Sequence, residues 1–313
     1  MKAQVRGLPW AEVAQAVAVV GGYAVLLWLH DATDAPLTPG WFATWAGMLV
    51  LTALAWVVVL RFGRRRYRKP ATEGAPRGLV VRYVVIAAAA TVFLSLVTSR
   101  TAFLAPHGSW LLRAMTSGLL LLGWVAAAPW TLLLWRTHHD APSLDGLVAA
   151  LQPATWNKGT AAVADPDAVS AVAGQLRSTW QTLESAAVAF GVLLSSAVLD
   201  TGMLRLAALS SGDTTAERAP VVLVLLYGAF FALVAALLFG PVAFRWRRQA
   251  LALVDRVLGD PPTGLPSEEY LATRDRFLTH LGVRTGVMRT PVTALSVLAP
   301  LGTALLTSLV PTG

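Results

Sequence analysis

Apolar residues in this chain collect into runs separated by short polar or basic stretches. Six runs, at about 10–29, 41–60, 78–98, 114–135, 185–208 and 220–244, each approach the ~20 residues that carry a helix across a hydrocarbon core about 30 Å thick. A seventh, 291–310, is less apolar and is interrupted by Pro300. The pattern predicts an all-α, polytopic helical membrane protein. It would have six transmembrane helices, a seventh C-terminal membrane helix, and cytoplasmic helical extensions. Residues 1–136 would hold transmembrane helices 1–4, and 137–184 a cytoplasmic amphipathic helical segment. Residues 185–244 would hold helices 5 and 6, 245–289 a second cytoplasmic helical segment, and 290–313 a membrane or re-entrant helix. Lys2 and Arg6 precede the first run and no Ala-x-Ala site follows it, so it reads as a retained span.

Between the fourth and fifth runs the apolar period changes. Asp165 is placed to cap a helix that begins at Pro166. Val169, Val172, Leu176, Trp180 and Leu183 then recur at spacings of three and four, the stripe of an amphipathic helix. Nothing breaks this helix before the fifth run, so one rod of about 40 residues and ~60 Å is expected. Leu251, Val254 and Leu258 continue a similar stripe after the sixth run, until Gly259-Asp-Pro-Pro ends it. The two stripes predict an antiparallel pair below the membrane. A further helix, about 267–281, would start at Ser267 and carry Tyr270, Phe277, Leu278 and Leu281.

Charge orients the runs. The cluster Arg61, Arg64, Arg65, Arg66, Arg68 and Lys69 closes the second run, and positive clusters beside spans mark the cytoplasmic side. With the N-terminus cytoplasmic, only Arg100, Arg113, Arg205 and Arg218 of the 25 Lys and Arg fall outside. The cluster also faces anionic lipid headgroups of the bilayer. A net charge of +8 and a pI near 10.6 would suit nucleic acid. Here the basic residues sit at run ends, so topology accounts for them and no nucleic-acid partner is expected. The composition agrees: 56% hydrophobic, 13% charged, mean hydropathy +0.60. Cysteine is absent, which excludes disulfides, thiolate nucleophiles and Cys-ligated zinc. The scarcity of Ile, Asn and Lys beside abundant Arg matches GC-rich coding, hence a bacterial cytoplasmic membrane.

Few residues carry chemistry. Asp200 is the one acid inside a run, with Ser196 a turn away on the same face; such acids default to functional candidates. The competing expectation is that Asp200 reaches the outer interface or pairs with Arg113 or Arg205. Gly228, Ala232, Ala236 and Gly240 form a small-residue ladder that predicts a helix-packing seam. In the last run Thr293, Ser296, Pro300, Thr303 and Thr307 share one face while leucines take the other, a stripe able to line a pore. The competing expectation has those hydroxyls bonded to carbonyls one turn back. His138-His139-Asp140 reads as a solvated helix end rather than a metal site. No His-Glu-x-x-His, Gly-x-Ser-x-Gly or Walker A pattern occurs, so no catalytic residue and no cofactor are expected.

The sequence therefore points to an oligomeric channel or pore-forming subunit gated through its cytoplasmic helices. A small-molecule or ion permease is the first alternative. The second is a scaffold or signalling subunit that docks a cytoplasmic protein through Val172, Leu176 and Trp180.

Overall fold

A computed structural model describes residues 38–67, 77–100, 110–153, 155–157, 160–162, 165–210, 220–259, 265–283 and 302–305, with single positions 24, 28, 212, 215 and 299. Six helices and one small hairpin are ordered along the described chain: α1 Pro39–Tyr67, α2 Arg77–Arg100, α3 Trp110–Ala150, β1 Thr155–Asn157, β2 Thr160–Ala162, α4 Pro166–Ser210, α5 Val221–Leu258 and α6 Glu268–Leu281. The strands pair antiparallel over three residues each, and the regular structure of the described residues is otherwise all-helical. Among the described residues, α1, α3, α4 and α5 are long and apolar enough to cross a membrane. They contain the runs at 41–60, 114–135, 185–208 and 220–244. Helix α2 covers the run at 78–98 but its qualifying apolar stretch is the shorter Gly78–Ala89. The runs at 10–29 and 291–310 lie almost wholly outside the described residues.

Local chemistry sets the helix ends. Asp165 Oδ1 accepts the amide of Ala168 at 2.9 Å, capping α4 ahead of Pro166, whose missing N–H costs nothing there. Ser267 Oγ accepts the amide of Tyr270 at 3.2 Å, and Gly282 closes α6 in the left-handed region at φ 84°, where a side chain would be strained. Basic Arg64, Arg65 and Arg66 occupy the last turn of α1, where they offset the negative end of its dipole.

The long helices overrun any bilayer. At about 1.5 Å per residue the 45 residues of α4 extend ~68 Å and the 38 of α5 ~57 Å, against a core of about 30 Å. The excess lies at one end, the end carrying Arg61 to Arg66, and there it packs into a layer. Val172, Leu176, Trp180 and Leu183 of α4 are buried with Ala250, Leu253, Val254 and Leu258 of α5, and with Tyr270 and Leu281 of α6. Trp180 and Trp246 stack at 4.3 Å, and Trp246 Nε1 donates to Leu176 O at 2.9 Å. The antiparallel pair expected from the two apolar stripes is thus formed.

Helix α3 departs from expectation. It does not end near Arg136 but continues through Pro142 to Ala150. Hydropathy falls after Trp135, yet Ala141, Leu144, Val148 and Leu151 keep a helical spacing and are buried. That face holds the helix on the layer, and Pro142 is tolerated because the carbonyl it frees belongs to exposed His138. The amphipathic segment expected over 137–184 is therefore three pieces: the end of α3, the hairpin, and the start of α4.

Helix α4 is the hub, touching α1, α3, α5 and α6. Away from the basic end, Phe42, Trp45 and Leu49 of α1 meet Leu111, Leu112 and Met115 of α3 and Leu204, Ala207 and Ala208 of α4. Helices α1 and α3 approach closely at two glycines. A Cβ on Gly63 would stand 2.7 Å from Pro129 Cγ and Trp130 Nε1, and one on Gly123 would stand 2.8 Å from Trp56. Only glycine fits such contacts.

Candidate functional site

Helices α1 and α4 run antiparallel, so a polar residue on each recurs at matching heights. Trp56 Nε1 donates to Ser196 Oγ at 2.7 Å, and Ser196 Oγ donates in turn to Val192 O at 2.7 Å. One turn further from the basic end, Thr52 of α1 faces Asp200 of α4. Both are buried, Thr52 at 2% and Asp200 at 4% exposure. Their separation falls short of a bond: both Asp200 carboxylate oxygens and Thr52 Oγ1 have no hydrogen-bond partner among the described residues. Tyr227 of α5 approaches from the third side, its hydroxyl directed at Thr201 and its ring edge-on to Phe231 at 4.6 Å.

Ten residues, about 15 Å of helix, separate Asp200 from the end of α4 at Ser210. It does not pair with Arg113, which is exposed, or with Arg205, which five residues of helix rotate to another face. Such a carboxylate is costly to hold buried, and its hydroxyl neighbours could complete the shell of a bound proton or cation.

A second polar constellation occupies the basic end. Asp145 of α3 accepts from Arg245 Nη2 at 2.7 Å and Nε at 3.2 Å, and from Gln249 Nε2 at 2.7 Å. Buried Gln249 also donates to Ala141 O at 2.8 Å. Partial desolvation opposes ionisation of Asp145, but the bonds from Arg245 and Gln249, with the charges of Arg245 and Arg248, outweigh it and lower its pKa. Arg256 Nη1 ties α5 to Leu151 O at 2.7 Å. Arg66 Nη1 ties α1 to Ser185 Oγ at 3.0 Å. Between these contacts lies an open cleft of about 630 Å³.

The other residues singled out in the sequence fall as follows. Arg64 and Arg65 are exposed and Arg61 and Arg66 half-buried; Arg68 and Lys69 lie outside the described residues, as do Thr293, Ser296, Pro300 and Thr307. Thr303 donates to Ala299 O at 2.8 Å, one turn back, and neighbouring Ala304 is buried against Val198 and Val224. In the ladder, Gly228 is buried, Ala232 and Gly240 half-buried, and Ala236 exposed. Steps of four residues advance about 40° beyond a full turn, so three steps rotate the ladder off the packed face. The buried stripe of α5 is instead Val224, Gly228, Ala235, Phe239, Val242 and Trp246. Val172, Leu176 and Trp180 are covered by α5 and α6, so the face expected to dock a partner is already occupied. His138, His139 and Asp140 are exposed in mid-helix rather than at a helix end, and no metal-binding cluster exists among the described residues.

Thr52, Tyr227, Asp145 and Gln249 were not foreseen. For Thr52 and Gln249 a signal exists: each sits at the three-and-four spacing of its helix's buried stripe, between Leu49 and Trp56 and between Trp246 and Leu253. Comparison of the chain with protein-family models, curated proteins and solved structures finds no match.

Proposed function

We propose that the chain is a multi-pass transport protein of a bacterial cytoplasmic membrane, an ion or small-molecule permease in which Asp200 handles the ion. The reading takes the basic end as cytoplasmic, the N-terminus on that side, and six or seven spans. One observation carries it: Asp200 is buried within α4 with both carboxylate oxygens unpartnered among the described residues, beside Thr52 and Tyr227. A carboxylate so placed is balanced by a proton or a small cation, and exchanging that ion between the two sides is an elementary act of transport. The test is ion flux into vesicles containing the purified protein, driven in turn by proton, sodium and potassium gradients. Asp200→Asn abolishes flux and Asp200→Glu retains part of it; flux undiminished in Asp200→Asn defeats the proposal.

The oligomeric channel gated from the cytoplasmic layer is the second reading. The observation in its favour is that α4 and α5 pass unbroken from the apolar stretch into the layer, so a movement of one is a movement of the other. The hydroxyl stripe adds less support, because the Thr303 hydroxyl is bonded to its own helix. Single-channel conductance and an oligomeric mass in nanodiscs distinguish this reading from a monomeric permease.

A further inference from the structure

The cleft at the basic end has no part in ion handling at Asp200, and its lining suggests a ligand of its own. Arg66, Arg136 and Arg245 reach it from α1, α3 and α5, with His138 beside them. Leu133 and Val242, where the apolar stretches of α3 and α5 end, form its apolar wall. Two of the three arginines are partly neutralised. Arg136 lies 3.6 Å from Asp140, which also lines the cleft, and Arg245 is paired with Asp145. Arg66 differs, because its one side-chain partner among the described residues is the neutral hydroxyl of Ser185. Ser178, Thr179 and Thr182 of α4 add uncharged donors. Phe62 and Phe244, next in sequence to Arg61 and Arg245, are 59% and 67% exposed.

We propose that this cleft binds a phosphate-bearing anion at the edge of the apolar layer, with Arg66 as the principal ligand and Arg136 as the second. Guanidinium groups present planar pairs of donors that match phosphate oxygens, and the hydroxyls of α4 complete the coordination. The apolar wall of Leu133 and Val242 suits a ligand that carries acyl chains, so an anionic lipid headgroup is one source of the phosphate. Free phosphate from the aqueous side is the other.

The experiment uses the full-length protein in two arms. In the first, retention of phosphatidylglycerol is measured in nanodiscs of phosphatidylcholine with a graded phosphatidylglycerol fraction. In the second, the detergent-solubilised protein is titrated with inorganic phosphate. Arg66→Gln weakens binding about tenfold, the loss expected for one charge-assisted pairing, and Arg66→Lys recovers part of it. Arg276→Gln removes the same charge from an exposed position on α6, outside both the cleft and the basic cluster, and leaves binding unchanged. Arg66-dependent retention in the first arm identifies a lipid, and Arg66-dependent titration in the second alone identifies a soluble phosphate. Equal losses in Arg276→Gln and Arg66→Gln, or no Arg66 dependence in either arm, overturn the proposal. Should Arg66→Gln fail to fold, Arg136→Gln tests the same cleft by the same measurements.

Discussion

Two aspartates face the interior of this bundle, and they are held in opposite ways. Asp145, at the basic end, accepts three hydrogen bonds from Arg245 and Gln249 and remains about one-third exposed. Asp200, in the apolar stretch of α4, is almost fully buried and accepts none among the described residues. The first arrangement fastens α3 to α5. The second fastens nothing and stores an electrostatic cost, which evolution tolerates where the group has work to do. The difference predicts opposite signs: substitutions at the basic end should loosen the protein, and substitutions at Asp200 should tighten it while removing activity.

The largest effect tests whether the basic end is the stable platform this contrast requires. Trp246 is 2% exposed, stacks on Trp180 and donates to Leu176 O. Trp246→Ala leaves a cavity and removes the ring stacking and the bond to Leu176 O together, for about 3–5 kcal/mol. Reversible unfolding in mixed detergent measures it. A loss below about 1 kcal/mol, the range of a surface change, would mean the layer contributes little and the contrast has no structural basis.

Next in size is Asp200→Leu, which removes the stored cost. A carboxylate at the centre of a transmembrane helix is unfavourable by about 2.5–3.5 kcal/mol on insertion scales, so the variant should unfold later than wild type by a comparable amount. Destabilisation instead would show that Asp200 has a structural partner, and would turn it into a second Asp145.

How legible this contrast was in the sequence depends on which residue is considered. Asp200 was visible because a single acid in an apolar run departs from everything around it. Asp145 was not, because in Pro142-Ser-Leu-Asp-Gly146 it reads as loop text. What makes it a helix residue is Ala141, Leu144 and Val148 finding α4 and α5, a tertiary fact no local period contains. The α4 rod and its pairing with α5 were legible for the converse reason: their stripes at three and four residues, and the Asp165-Pro166 start, are local signals that agree with the packing. The ladder from Gly228 to Gly240 misled about packing within the chain because strict spacing by four precesses around a helix with 3.6 residues per turn. Neither Thr52 nor Tyr227 could be joined to Asp200 without knowing that α1 and α5 flank it.

The smallest effect is the sharpest probe of the comparison, because it changes the well-partnered aspartate conservatively. Asp145→Asn keeps the shape and the acceptor for Gln249 but removes the charge that holds Arg245. Both side chains are about 30% exposed, so solvent screens part of the loss, and about 1–2 kcal/mol is expected for the weakened pairing. The pH dependence gives this number a direction. The bonds from Arg245 and Gln249 hold Asp145 below its ordinary carboxylate value in the folded state. Its contribution is therefore complete above that ordinary value and is lost as pH falls through the lowered folded value. Wild type and Asp145→Asn should differ in unfolding free energy at neutral pH and converge as the solution is acidified through that window. A difference that stays constant down to the lowest pH at which the protein remains folded would mean the bonded geometry, not the charge, joins α3 to α5.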